Sequence, residues 1–436
     1  MSLAIKPSDV LYLALQGGGG KGFAYIGAVE ALEQLGVLPV EKGAKGNLRG
    51  ISGTSAGAII GLLLAMGCTS KDLLEIFGSN DEFLKFFDAP ESGFARAIRP
   101  NDWRARKSLR DAWVVRSVMN TKELTNRIST ILNDINSAPA SLFGLTAQSS
   151  VRLTGATLLA VWLSLLPPTR KALELASKYP FLAPLVRDTT AYATNLVYDR
   201  GLFPGFQVRD FLRRIISKYI SVHPNWKRQL PDPADITFAE FKDITGYDFV
   251  TVGTNLSQRR SVYFSAALTP RFRVAEAVGI SCCIPIMFKP VWIEADASDP
   301  VLGDLRGYWV DGGVLNNIPI HAFDGGASDM RPAKGALPLL NPNVLGLALR
   351  PGPPMSAVPS LPNDDEPFTS FAVDLLETTL SPSGPGQYAT DRERAQVIEI
   401  FSFSLSLFDF APSESAGRLP RRAAFDQVIS HFANSR

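Results

Sequence analysis

Val10-Leu11-Tyr12-Leu13-Ala14-Leu15-Gln16-Gly17-Gly18-Gly19-Gly20-Lys21-Gly22 is followed, one supersecondary unit later, by Leu48-Arg49-Gly50-Ile51-Ser52-Gly53-Thr54-Ser55-Ala56-Gly57. Each stretch is a short apolar run that breaks into a glycine-bearing turn. Residues 10–15 are apolar without alternation, which suits a strand covered on both faces. Phe23, Ile26, Val29 and Leu32 then keep a helical period over 22–35, with Gly36 as the stop. Residues 48–52 predict a second strand, and 56–66 a second helix ended by Gly67. Thr69-Ser70-Lys71-Asp72 fits a capping box that opens a third helix over 71–77. Strand, helix, strand, helix in this order predicts an α/β fold with a parallel sheet and helices on its faces.

The two turns differ in chemistry. Gly17, Gly19 and Gly22 satisfy G-x-G-x-x-G after a strand and before a helix, so a dinucleotide site is one reading. The Walker pattern fails, because Lys21 is followed by Gly22 rather than Ser or Thr. A third reading is an oxyanion hole: residues without side chains let successive amides converge at a helix N-terminus, where the dipole favours negative charge. A tight structural turn is a fourth. Gly53-Thr54-Ser55-Ala56-Gly57 shifts the balance, since G-x-S-x-G on a strand-to-helix turn exposes a nucleophilic serine and its glycines relieve the crowding. Ser55 is therefore the candidate nucleophile.

A serine needs a base. The histidines are His223, His321 and His431, and only His321 lies near a candidate site, after Asn317-Ile318-Pro319-Ile320. Each reads better as structural than catalytic. Asp311 ends the apolar strand Tyr308-Trp309-Val310 and precedes Gly312-Gly313. Active-site groups collect at the carboxyl edge of a parallel sheet, and burial there raises a carboxyl's pKa toward that of a useful base. An ordinary Asp-Gly turn explains the same residues equally well.

Together these motifs resemble the patatin-like phospholipase family. Gly17-Gly18-Gly19-Gly20-Lys21-Gly22 looks like its oxyanion loop, Gly53 to Gly57 like its nucleophile elbow, and Asp311-Gly312-Gly313-Val314-Leu315-Asn316-Asn317-Ile318-Pro319 like its aspartate segment. Gly201-Leu202-Phe203-Pro204-Gly205 and Ser281-Cys282-Cys283-Ile284-Pro285 are weaker echoes. The resemblance implies a three-layer α/β/α sandwich with a mostly parallel central sheet. It implies a Ser55–Asp311 dyad that cleaves fatty-acyl esters of phospholipids or related lipids through an acyl-enzyme, with no metal or other cofactor. The backbone amides of Gly18, Gly19, Gly20 and Ala56 would then hold the oxyanion. Transfer to an acceptor other than water is the alternative on the same fold.

The rest of the chain sets limits. It has 436 residues, 46% hydrophobic and 20% charged, with mean hydropathy +0.07, enough for one large domain with a sizeable core. A net charge of +2 gives no electrostatic case for nucleic acid. Cys68, Cys282 and Cys283 show no C-x-x-C spacing, so a reducing compartment is expected. No secretory signal is visible in the opening residues. The expected location is cytoplasmic and peripheral at membranes, with export lacking a cleavable signal left open.

Residues 84–199 read differently, as a helical insertion within a single domain spanning 1–436. Helical patterns occupy 122–135, 153–166 and 169–179. Such regions in this family form caps or bind activators, so a protein or nucleotide activator is an expectation that follows from the resemblance. Arg99, Arg104, Arg106, Lys107 and Arg110 around Trp103 and Trp113 would suit an anionic membrane surface, although a solvated face accounts for them too. Further strands are expected at 249–253, 261–265, 308–310 and 343–349. Alternation of Phe401, Phe403, Leu405 and Leu407 with serines predicts a last, half-buried strand.

Overall fold

The structure, a computed structural model, describes residues 5–40, 46–78, 83, 85–88, 94–99, 102–106, 192, 195–196, 199–226, 232–294, 303–324, 340–352, 378, 390–403, 405 and 414–433. β1 (Tyr12–Leu15) leads through a 3₁₀ turn at Gly19–Ala24 into α1 (Tyr25–Gln34). β2 (Gly50–Gly53) leads into α2 (Ala56–Ala65), and α3 (Ser70–Gly78) follows. The capping box forms as the sequence suggests: the amide and hydroxyl of Thr69 donate to Asp72 Oδ2 at 2.8 and 2.9 Å. Ser70 adds bonds from its amide and hydroxyl to the Glu33 carboxylate, tying α3 to α1.

The chain continues as β3 (Phe94–Arg99), β4 (Asp102–Arg106), β5 (Gly201–Phe203), α4 (Phe206–Ile220), α5 (Phe238–Thr245), β6 (Asp248–Asn255) and β7 (Arg260–Ser265). It then forms α6 (Val274–Ser281), β8 (Ile286–Phe288), β9 (Val291–Ile293), β10 (Gly307–Asp311), β11 (Val344–Arg350), α7 (Asp391–Ala395), β12 (Val397–Phe401) and α8 (Glu414–Ala433). The main sheet runs β12-β11-β1-β2-β6-β10-β9-β3-β4, with β7 also on β6. Its half from β12 to β6 is parallel throughout. This is a mostly parallel central sheet with helices around it.

Period-two side-chain alternation explains the unbroken apolar strands. On β1, Leu13 and Leu15 enter one core with α1 and α2, while Tyr12 and Ala14 enter a second core on the opposite face. Leu345, Leu347 and Leu349 of β11 join the first core; Val344 and Ala348 join the second. The second core is closed by Ile320, Ala322 and Phe323, the chain just after the aspartate segment, and Phe323 stacks on Tyr12 at 4.4 Å. Covering that face therefore also anchors the segment that carries Asp311.

Two expectations need correction. The region from 84 onward, read as helical, begins with a strand hairpin, and β3 pairs parallel with β9 to extend the sheet edge. The three helical patterns, with Lys107, Arg110 and Trp113, lie outside the described residues. The last strand is Val397–Phe401, before most of the serine alternation. β11 ends at Arg350, Ser402 makes the final rung to its carbonyl at 2.7 Å, and Phe403 turns the chain away at φ +50°. No helix among the described residues is long and apolar enough to cross a membrane.

Candidate active site

β6 brings the two candidate groups together. Its first half pairs parallel with β2, Gly53 opposite Thr251, and its second half pairs antiparallel with β10, Asp311 opposite Gly253. β7 occupies the other edge along 250–255. β2 and β10 thus share one edge and run toward each other. Their ends face positions about 7 Å apart along β6 at ordinary strand rise. Ser55 follows Gly53 by two residues and Asp311 is the last residue of β10, so the two converge over Val252.

Ser55 occupies the turn between β2 and α2 with φ 52° and ψ −123°, a conformation rare for a residue with a side chain. Neighbours enforce it. Thr54 N–H donates to Leu15 O at 3.2 Å, and Thr54 Oγ1 donates to Asn316 O at 3.0 Å. Ser55 N–H donates to Ser281 Oγ at 2.9 Å. Gly57, in the first turn of α2, lies so close to β1 that a Cβ would sit 2.4 Å from Leu15 O. Ala56 is the first residue of α2, where amides have no partner within the helix.

The glycine run passes directly beside this turn. A Cβ on Gly17 would meet Ser55 Cβ at 3.0 Å and Asn317 Oδ1 at 2.4 Å. Gly17 and Asn317 also bond through their backbones at 3.0 Å, and Asn317 Nδ2 donates to Gly17 O at 3.3 Å. Lys21 N–H closes the first turn onto Gly18 O at 3.1 Å, so the amides of Gly18, Gly19 and Gly20 precede the hydrogen-bonded ladder. Lys21 itself is buried, and Gly22 packs against Ala56. Gly19, Gly20, Gly22, Ser55 and Ala56 share one cavity with Phe77, Phe83, Phe86, Val208, Cys282, Ile284 and Phe288. Among the described residues, apart from Ser55 and the glycine backbone, that lining is apolar.

Asp311 is 1% exposed. Its Oδ1 accepts from Gly313 N–H at 2.7 Å, while Oδ2 has no hydrogen-bond partner among the described residues. Burial pushes its pKa up to about 7, against smaller opposing effects of the Gly313 amide and the Ser55 side chain. Gly312 sits where a Cβ would strike Val252 O at 2.4 Å, which keeps the segment flat on β6.

None of the three histidines lines the cavity. His321 Nδ1 lies 2.5 Å from Asp324 and Nε2 lies 3.4 Å from Glu393, a pairing that raises its pKa. Cys282 and Cys283 are free thiols whose pKa values burial pushes up, so neither is a ready nucleophile. No His, Cys, Asp and Glu cluster suited to a metal occurs among the described residues. Ser281 belongs to one of the weaker sequence echoes, yet its contact with Ser55 is announced by no motif. It contacts Ser55 across 226 residues of chain, and no spacing rule signals such a bond.

Fold and family together make this protein a lipid acyl hydrolase of the α/β class. The chain belongs to the patatin-like phospholipase family, whose sequence model matches residues 13–324 and so spans both Ser55 and Asp311. Among solved structures it is similar to VipD from Legionella pneumophila, at 18% identity and TM-score 0.44, covering 98% of this chain and 67% of that one. It is also similar to ExoU, solved in complex with SpcU from Pseudomonas aeruginosa, at 18% identity and TM-score 0.34, covering 98% of this chain and 52% of ExoU. The chain thus spans two thirds of the one protein and about half of the other. No curated protein sequence matches it.

Proposed function

We propose that the chain hydrolyses fatty-acyl esters of phospholipids or related lipids through a Ser55–Asp311 dyad. The observation that carries this is the convergence, on one edge of β6, of a strained serine and a buried carboxyl beside the glycine run. Ser55 Oγ attacks the ester carbonyl while Asp311 takes its proton. The carbonyl oxygen becomes an oxyanion that the amides of Gly18, Gly19, Gly20 and Ala56 are placed to receive. Asp311 returns the proton to the departing lysolipid alcohol, leaving Ser55 acylated. Water, deprotonated by Asp311, then attacks the acyl-enzyme and releases the fatty acid and the free serine.

The apolar cavity supports the substrate class. Phe77, Phe83, Phe86, Val208, Ile284 and Phe288 offer hydrocarbon contacts and almost no hydrogen-bonding groups besides the reacting ones. An acyl chain suits that lining. Such substrates reside in bilayers, so contact with a membrane surface is part of the same proposal.

The test is fatty-acid release from phospholipid vesicles by the purified chain, on zwitterionic and on anionic surfaces. Wild type should release product, whereas Ser55→Ala and Asp311→Asn should not. Equal release by all three would overturn the dyad.

A further inference from the structure

Three consecutive residues, Ser281-Cys282-Cys283, touch both members of the dyad. Ser281 ends α6 and is fully buried. Its Oγ accepts the Ser55 amide at 2.9 Å. Two residues later, the Cys283 carbonyl accepts the Asp311 amide at 2.8 Å. Cys282, between them, faces the apolar cavity. The strap is itself fixed: Cys282 N–H bonds back to Val278 O and Cys283 N–H to Ile280 O, both at 3.0 Å.

The need for such a strap follows from the backbone of Ser55. Its positive φ belongs to a sparsely populated region and persists only where the surroundings over-determine it. The Ser55 amide precedes the α2 ladder, so it has no partner inside its own helix. A carbonyl from β1 or β2 would tie the elbow to the sheet alone. A hydroxyl on α6 ties it to the segment that also holds Asp311.

We infer that Ser281 is a positioning residue for acyl transfer: its hydroxyl oxygen holds the Ser55 turn and, through the 281–283 strap, fixes the Ser55 side chain against the Asp311 carboxyl. This rests on the dyad proposed above. Ser281 acts through Ser55 and contributes no proton or charge to the reaction.

The experiment uses the full chain and a soluble short-chain acyl ester. It reads kcat and KM from about pH 5 to about pH 9, together with the rate at which a fluorophosphonate probe labels Ser55. Ser281→Ala removes the acceptor without adding bulk. Its kcat should fall about tenfold, the rate equivalent of one lost hydrogen bond. KM should stay within about twofold, because substrate contacts are untouched. The pH midpoint of kcat/KM should stay where wild type has it.

A merely structural loss would admit water around Asp311 and move that midpoint down toward the ordinary carboxylate range. That outcome, or a wild-type kcat in Ser281→Ala, overturns the positioning role. Should the alanine variant not fold, Ser281→Cys decides, since sulfur is a weak acceptor of nearly the same shape. A several-fold fall in kcat at unchanged KM and midpoint supports the role, and a wild-type kcat removes it. Failure of the dyad shows separately, as wild-type protein that is not labelled at Ser55.

Discussion

Two carboxyls on neighbouring elements, Asp311 at the end of β10 and Glu276 in the first turn of α6, are both buried and both pushed up to about 7 by that burial. Their surroundings are opposite. Glu276 faces Arg209 at 3.8 Å, and the charges of Arg209, Arg273 and Arg213 all favour its ionised form. Asp311 has the Gly313 amide and the Ser55 side chain as its counterweights to burial, and no cation among the described residues. A carboxylate held by a cation is committed to that cation. One that accepts a single amide, its second oxygen without a hydrogen bond among the described residues, stays available to accept a proton. The comparison separates a buried acid that serves the fold from one able to serve chemistry, although their titration looks alike.

Replacing the acid should distinguish them most strongly. Asp311→Asn should lower kcat/KM by about a thousandfold or more, measured with the soluble ester. The same change should stabilise the fold. A carboxyl whose folded pKa lies above its unfolded one binds more protons when folded, so stability falls as pH rises from about 4 to about 7 and stays low above that. At about pH 8 the asparagine removes a burial cost on the order of a few kcal/mol, and Tm should rise by several degrees. At about pH 3.5 the gain should vanish.

Removing a cation should matter only on the other side of the comparison. Arg209→Met leaves Glu276 buried without its nearest counter-charge, which should cost about 3–5 kcal/mol in denaturant unfolding at about pH 8. Glu276→Gln should flatten the stability–pH curve, as Asp311→Asn does, because Glu276 carries the same sign of shift. It should nevertheless leave the pH midpoint of kcat/KM at about 7, since in the proposed dyad the base is Asp311. A midpoint that moves with Glu276 would break the distinction. The smallest effect is a control: Asp72→Ala loses the cap on α3 and should cost about 1 kcal/mol with kcat unchanged.

The sequence carried the local parts of this site and not its assembly. Strand–turn–helix order, the glycine run, the elbow at Ser55 and the cap at Thr69 are all encoded within a few residues, where sterics and hydrogen bonding act locally. Asp311 was readable as a strand-end acid. That β10 runs antiparallel along the edge already used by β2 was not, because pairing direction depends on the whole sheet. The bond between Ser281 and Ser55 stayed hidden for the same reason.

Arg209 and Glu276 look like ordinary surface charges of two helices until packing buries them against each other. α8 was also missed: Pro420 stands inside it, a residue that normally argues against a helix. Packing decides in its favour, since α8 lies so close to α1 that a Cβ on Gly27 would meet Arg421 O at 1.8 Å.

Covalent trapping across pH tests the central claim most directly. The chain is treated with a fluorophosphonate probe, digested, and the modified peptide is mapped while the labelling rate is followed against pH. The label should fall on Ser55, its rate should rise with a midpoint near pH 7 as Asp311 loses its proton, and Asp311→Asn should abolish the rise. A label on another residue, or a rate at Ser55 indifferent to Asp311, would contradict a serine activated by that carboxyl.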